Sequence, residues 1–417
     1  MENKFTSVLK YLGFLVMTMI FAACGGGGGD SDIGTLWVPT DVLVADIDGD
    51  SNADILTLAM ASTGNGTEKG YLLVYQQTDT SGDFVAPETY EVGRYPWRAV
   101  LGDIDGDNAP DLVISDPTAG IVWLMLQNSS CSGQFLAPEV LLSGASYYAA
   151  VIADFNDDGV PDVAAAGQAQ GLVIRYQDPT IRGNFEAQVA IPLPGRLFDL
   201  SAGDVDGDGL ADVLAWVYTN PSGSYPPSAG FIVMYQKPAG GFDTSNLLAQ
   251  QTGLNVDRLA IADVNADGKF DLFAFLTPFS SNYTAQLVVV PQTVSARSFG
   301  PPIYTSLASV SGIDDAVLAD LDQDGLPDTA VVGFWPESGG PLGYPDIKSA
   351  VNLLVNTGQG AFTLSAATPM PFPVSCVSAG DLDGDGRNDI VLLGDDNQCS
   401  FMIQTDSGLF MEPHEFW

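Results

Sequence analysis

Short runs of apolar residues, rich in Val, Ile and Leu and bounded by turn residues, recur along the chain from about residue 36 onwards. Their length and β-branched content predict strands rather than helices. They come in pairs around an acidic nonapeptide. Residues 42–45 (VLVA) precede the first nonapeptide and 55–58 (ILTL) follow it; 316–319 (AVLA) and 329–332 (TAVV) flank the sixth. A third run follows in each unit, at 71–75, 122–125, 173–176, 232–235, 287–290, 351–355 and 401–403. Behind it stands a phenylalanine after a small, mostly glycine-containing turn: Phe84, Phe135, Phe185, Phe242, Phe299, Phe362 and Phe410. These phenylalanines are expected to plug the space between neighbouring sheets. A fourth strand then leads into the next unit.

The nonapeptide reads D-x-[DN]-x-D-x-x-x-D and occurs seven times. The first three copies supply Asp46, Asp48, Asp50 and Asp54; Asp103, Asp105, Asp107 and Asp111; and Asp154, Asn156, Asp158 and Asp162. The fourth and fifth supply Asp204, Asp206, Asp208 and Asp212, then Asp263, Asn265, Asp267 and Asp271. The last two supply Asp320, Asp322, Asp324 and Asp328, then Asp381, Asp383, Asp385 and Asp389. Successive copies start 50 to 61 residues apart. Four strands per unit and seven units in series predict an all-β, seven-bladed β-propeller with one such loop in each blade.

Oxygens at loop positions 1, 3, 5 and 9, with a main-chain carbonyl at 7, suit a hard cation that takes about six to eight oxygen ligands. No thiol or imidazole accompanies them, which disfavours zinc and copper. The expected occupant is Ca²⁺, up to seven ions in a structural role. An EF-hand shares the opening of this loop but needs Glu at position 12 and flanking helices. Position 12 is Thr57, Ile114 or Ala165 in the first three copies, and the flanks are strand-like. Position 6 is Gly, Asn or Ser, residues suited to varying degrees to a left-handed turn. Ser51 suits it least, which marks the first loop as the expected weakest site.

The loops followed by D-[IVL]-[LV], as in DGDSNADILTL and DGDGRNDIVLL, together with the later G-x-F turn, resemble the FG-GAP/VCBS repeats of integrin α-subunit propellers and many bacterial surface proteins. The resemblance extends over roughly residues 36–417. It implies metal ligation by the side chains at positions 1, 3, 5 and 9, with Asn156 and Asn265 offering an oxygen where aspartate is usual. It implies no particular activity, because the fold carries both binders and enzymes.

The start of the chain is of another kind. Lys4 and Lys10 precede an apolar stretch at 11–23 that is too short to span a bilayer but suits a secretory signal. It ends Phe21-Ala22-Ala23-Cys24, which resembles the lipobox of bacterial lipoproteins, so Cys24 is the expected lipidation site. Five glycines and Asp30-Ser31-Asp32 then form a tether that cannot pack. The expected organisation is a signal peptide at 1–23, a lipidated tether at 24–35 and the propeller at 36–417. The expected location is the bacterial cell envelope, at the outer membrane or cell surface.

With 52 acidic and 14 basic residues the chain carries a net charge of −38. Such a field repels nucleic acid and anionic lipid, so membrane contact is expected through the lipid alone. Half of those acids are loop aspartates, so much of the charge is metal-ligand charge rather than a repellent coat.

Partner surfaces are expected on the face opposite the loops. Blades four to six carry long second-to-third-strand connections with Tyr218, Tyr225, Phe279, Tyr283, Trp335 and Tyr344, a possible platform for sugar rings or a protein. Blade-to-blade connections place Trp97, Arg94, Arg98, Arg196 and Arg258 towards the central funnel. The arginines either receive an acidic sugar or carboxylate, or pair with Asp257, Asp314 and Asp315 and line the channel. Pairing of Cys376 with Cys399 stays open. The single histidine, His414, and the lack of a nucleophile motif leave no catalytic residue to name. The leading expectation is a surface-anchored binding or adhesion module for polysaccharide or extracellular protein. The alternatives are a calcium-dependent polysaccharide lyase and a scaffold subunit of an envelope complex.

Overall fold

A computed structural model describes residues 36–417 apart from 63–67, 79–81, 168–170, 194, 220–227, 246–247, 253, 279–283, 308–309, 311, 338–345, 395–397, 406–409, 412–413 and 416–417. Among the described residues there are strands and turns but no helix. Seven antiparallel sheets follow one another along the chain, each built from consecutive strands. The first strands of the blades are Leu36–Ala45, Arg98–Gly102, Tyr147–Ala153, Arg196–Gly203, Leu254–Ala262, Gly312–Ala319 and Val374–Gly380. Each touches the first strand of the next blade, and Val374–Gly380 touches Leu36–Ala45, so the seven form a closed inner ring. The sequence expectation of a seven-bladed propeller holds.

The second strands are the most buried. Asp111–Asp116, Asp162–Gly167 and Asp389–Gly394 are buried at every residue, because both faces of a blade pack on neighbouring blades. That is why these segments read as unbroken apolar runs instead of alternating ones. Blade four carries an extra edge strand, Leu248–Thr252, on its third strand, Ser228–Gln236.

Seven apolar clusters fill the seams between successive blades. Each takes in one of the turn phenylalanines: Phe135 sits with Ile47 and Leu112 between blades one and two, and Phe362 with Phe273 and Val331 between blades five and six. In every blade that phenylalanine pairs by backbone with the Gln or Asn that ends or follows the third strand. The expectation of an inter-sheet plug is met.

The ring closes by packing, without exchange of a strand. Leu36–Ala45 is the inner strand of its own blade, and the short strand His414–Glu415 is the outermost of blade seven. At the seam a Cβ on Gly380 would lie 2.5 Å from Cγ1 of Val44, so the first and last inner strands approach over a residue that has no side chain. The residue just before each loop is Ala45, Gly102, Ala153, Gly203, Ala262, Ala319 or Gly380, small in all seven blades.

Cys376 and Cys399 are both free and buried. Each pairs with Leu393, from opposite sides, so a whole strand separates them. Two inter-strand spacings of about 4.8 Å exceed the reach of a disulfide.

Candidate metal centres

Each nonapeptide links the first and second strands of its blade. Position 6 has a positive φ in all seven copies, including Ser51 at 75° and Asn108 at 68°, as the sequence led one to expect. Position 4 is also left-handed: Gly49, Gly106, Asp157, Gly207, Ala266, Gln323 and Gly384. Reading position 6 alone missed this second requirement. Non-glycine residues at position 4 put backbone strain into the loops of blades three, five and six as well as the first.

The two left-handed residues turn amide hydrogens inward onto the carboxylates. In blade one the Gly49 N–H donates to Asp46 Oδ1 at 2.7 Å and the Ser51 N–H to Asp46 Oδ2 at 2.9 Å. The Asn52 N–H donates to Asp50 Oδ1 at 2.8 Å. Position 9 is the most constrained. In every blade one of its oxygens accepts the N–H of loop position 2 and the other the N–H of the residue that ends or follows the third strand; for Asp111 these are Ile104 at 2.8 Å and Gln127 at 2.7 Å. The other six blades repeat the pair.

The clustered carboxylates could hold a cation. Burial pushes the position-9 carboxyl up to about 6 in Asp54, Asp111, Asp271, Asp328 and Asp389, and to about 7 in Asp162 and Asp212, despite the backbone N–H bonds that pull it down. Carboxylate oxygens of positions 1, 3 and 9, or 1, 3 and 5, lie within 4.8 Å of one another in the loops of blades one, two, four, six and seven. In blades three and five position 3 is Asn156 or Asn265, whose side-chain oxygen accepts the N–H of Asp158 or Asp267 at 3.0 Å. Oδ1 of Asp320 is buried and has no hydrogen-bond partner. An orphaned carboxylate oxygen at position 1 within an all-oxygen cluster fits a hard divalent ion, and calcium is compatible with it.

A second repeated device ties one loop to the next. The side-chain amides of Gln77, Gln127 and Asn356 donate to the carbonyls of Leu382, Ile47 and Val264 at 2.7, 2.8 and 2.7 Å; those of Gln292 and Gln404 donate to Val205 and Leu321. Each acceptor is position 2 of the loop in the preceding blade. Blade three departs from this, since Gln177 turns to Pro161 of its own loop. In blade four both side-chain polar atoms of the fully buried Gln236 have no partner.

On the axis the fifth residue before each loop occupies one register position: Asp41, Arg98, Ala149, Asp199, Arg258, Asp315 and Cys376. Arg258 reaches across the ring to Asp41 Oδ1 at 2.9 Å and to Asp315 Oδ1 at 2.7 Å. Arg98 donates to Asp315 Oδ1 and to the Asp257 carbonyl, both at 3.2 Å. The carboxylates also bind the following blade: Asp41 accepts the Ala99 N–H, Asp199 that of Leu259 and Asp315 that of Val377. Of the two roles open to the funnel arginines, Arg98 and Arg258 take the channel-lining one, with Asp41 as a partner the sequence reading did not name.

The remaining surface candidates fall out as follows. Arg94 is exposed and pairs with Glu68 at 2.7 Å, and Arg196 is exposed at the start of its strand. Trp97 is half-buried, stacked on Tyr95 with Arg98 above its ring. Tyr218 is not a platform residue. It is buried in the seam between blades four and five, where its hydroxyl donates to Asn255 Oδ1 and accepts the Val256 N–H at 2.8 Å. The second strand of blade four runs further than the sequence suggests, to Thr219, and carries Tyr218 inward. Tyr225, Phe279, Tyr283, Tyr344 and Cys24 lie outside the described residues, and of Trp335 only the backbone, paired with Lys348, is described.

Residues 103–165, 154–215 and 320–392 match the FG-GAP-like repeat family, and these spans contain the loops of blades two, three, four, six and seven. No curated protein matches the chain. Among solved structures, the chain is similar to one in the crystal structure of BBS1N in complex with ARL6DN soaked with lead, with TM-score 0.45 and 11% identity over 86% of this chain and 89% of that one. The mercury-soaked crystal of the same complex gives TM-score 0.49 and 12% identity over 88% and 92%. With its seven loop-bearing blades and these matched repeats, the chain is an FG-GAP-repeat β-propeller.

Proposed function

We propose that this propeller is a calcium-stabilised binding module, held at the cell envelope by a lipid on Cys24, whose partner docks on the face opposite the metal loops. An FG-GAP β-propeller suits a binding or scaffold role, and the observation that carries the finer reading is a recess of about 30 Å³ in the funnel wall. Trp97, Tyr148 and Phe198 supply its aromatic sides, and Arg98, Asp199, Asn255 and Asp257 its polar ones. These residues stand in the first halves of inner strands or, for Trp97, just before one, and the loops follow their ends, so the recess and the metal loops lie towards opposite faces. Small-molecule and catalytic pockets run to about 300 Å³ or more. A recess a tenth of that size takes the edge of a sugar or the tip of one side chain, as in recognition of a polysaccharide or an extracellular protein. Calcium in the loops holds the scaffold. Two of the four funnel arginines that would serve a lyase, Arg98 and Arg258, are already bound to Asp41 and Asp315.

The test is binding of the calcium-loaded chain to arrayed envelope polysaccharides and extracellular proteins, with Trp97→Ala as comparison. The reading predicts binding lost in a Trp97→Ala variant that still melts cooperatively, and release of the protein from membranes in Cys24→Ser. Ultraviolet-absorbing unsaturated products from a bound polysaccharide would replace this reading with a lyase.

A further inference from the structure

By sequence the blade-four loop, DVDGDGLAD, is one of the best metal loops in the chain, with aspartate at all four ligand positions and glycine at both left-handed ones. The structure adds a residue from elsewhere. Arg297 lies in the turn between the third and fourth strands of blade five, Gln286–Val290 and Ile303–Ser306, and has φ 60°. Its Nε donates to Asp206 Oδ2 at 2.5 Å, and its Nη2 stands 3.8 Å from Asp208 Oδ2. These are positions 3 and 5 of the neighbouring blade's loop. The other oxygen of Asp206 accepts the Asp208 N–H at 3.2 Å, and the Asp206 side chain is only 3% exposed.

The turn that precedes the phenylalanine covers the preceding blade's loop elsewhere too. In blade two Ser132 donates its hydroxyl to the Asp48 carbonyl, and in blade three Arg182 lies against Gly106. Lys269 and Arg387 each touch one aspartate of their own loop. Among the described ion pairs, Arg297 alone brings a cation from another blade to two ligand carboxylates. It also has somewhere else to go: its Nη1 is 3.9 Å from Asp243 Oδ2, a carboxylate 59% exposed, and its guanidinium rests over the Tyr235 ring at 4.5 Å.

We propose that Arg297 is a tethered counter-ion of the blade-four loop, seated on Asp206 and Asp208 when the loop holds no metal and displaced towards Asp243 when a divalent cation binds. The proposal rests on the metal-loop reading above. A guanidinium and a divalent ion repel each other across one carboxylate, so the metal must displace the cation before it can use position 3 fully. The pairing therefore enters the apparent affinity as a competing equilibrium. A loop with one of the two best consensus sequences becomes the weakest site, and its filling moves a side chain in the seam between blades four and five.

The test is calorimetric titration of the chelator-treated, detergent-solubilised full chain with calcium. Wild type should show one site filling after the others, absent in Asp208→Ala. Arg297→Gln should tighten that site roughly tenfold, the equivalent of about 1.4 kcal/mol, and Asp243→Asn should weaken it by removing the alternative seat. Arg297→Gln should also lower the melting temperature of the chelated protein while leaving the loaded protein unchanged. Unchanged or weakened binding in Arg297→Gln overturns the proposal, the weakened case showing that Arg297 orients Asp206 as a ligand. Absence of calcium uptake by wild type overturns the metal-loop reading itself and this proposal with it.

Discussion

Gln127 donates its side-chain amide to the carbonyl of Ile47, one blade away, while its own backbone N–H is held by Asp111. One residue thus connects position 9 of its own loop to position 2 of its neighbour's. The arrangement recurs in blades one, five, six and seven, where blade one reaches back to Leu382 and so crosses the ring closure. Gln127→Met keeps the volume and removes the donor, leaving the buried Ile47 carbonyl without this bond. It should cost about 1–3 kcal/mol in chemical denaturation. Gln236 is the internal control. Its amide is equally buried and makes no side-chain hydrogen bond, so Gln236→Met should be neutral or stabilising. Equal losses in the two variants would mean that the amides act by packing alone.

The same linkage bears on metal removal. Each position-9 carboxylate is buried and pushed up by that burial, so stripping the loops leaves most of the clustered aspartates without a counter-charge. A single site held at a hundred times its dissociation constant stabilises the fold by about 2.7 kcal/mol. For a cooperative unit this large the shift is about 1.2 °C per kcal/mol, so one site is worth roughly 3 °C and several together more than about 5 °C. Chelation should therefore lower the melting temperature by more than about 5 °C, and calcium binding should approach one ion per loop. Because the amides join the loops of most blades, the loss should come as one shifted transition. Identical melts with and without chelator would remove calcium from the account.

How far the sequence discloses this molecule depends on what repeats. The strands, the loops and the turn phenylalanines were legible because each blade restates the same residue types in the same local order. The inter-blade amide was missed although its residues are in plain view, from Gln77 to Gln404. The distance from the position-9 aspartate to it runs from 15 residues, Asp389 to Gln404, to 28, Asp328 to Asn356, so no fixed spacing exposes it. The axial ring is harder still. One register position holds Asp, Arg, Ala, Asp, Arg, Asp and Cys in turn, because side chains that pair with one another around an axis must differ from blade to blade. Its partners come together only on ring closure. Tyr218 failed for a third reason, since nothing local shows where a strand stops and an exposed loop begins.

Gly380 tests ring closure directly. A methyl group there would meet Val44 Cγ1 at 2.5 Å, and a valine side chain has few ways to move aside. Gly380→Ala should cost about 1–3 kcal/mol by overpacking, and Val44→Ala in the same chain should recover part of the loss. Thermal melts of the two single variants and the double variant check this. Additive losses would show that the strands do not meet at these residues.

The axial network gives stability a pH dependence that can be separated from that of the loops. Asp41 is buried against Arg98, Arg258 and Asp315, with Cys376 close by. Burial pushes its carboxyl up, Arg258 pulls it down and Asp315 adds to the rise, which brings it to about 7. In the unfolded chain an aspartate titrates near 3.9. Between about pH 4 and pH 7 the folded state therefore holds a proton on Asp41 that the unfolded state has lost. Stability from this group is present in full at low pH and is lost as pH rises to 7, at a slope of up to about 1.4 kcal/mol per pH unit. Depressed carboxyls, including metal-bound ones, contribute with the opposite sign, so the informative quantity is the difference between wild type and Asp41→Asn in saturating calcium. From pH 5 to pH 7.5 that variant should gain stability relative to wild type with each step upwards. A constant difference across the range would show that Asp41 stays ionised in its pair with Arg258 throughout.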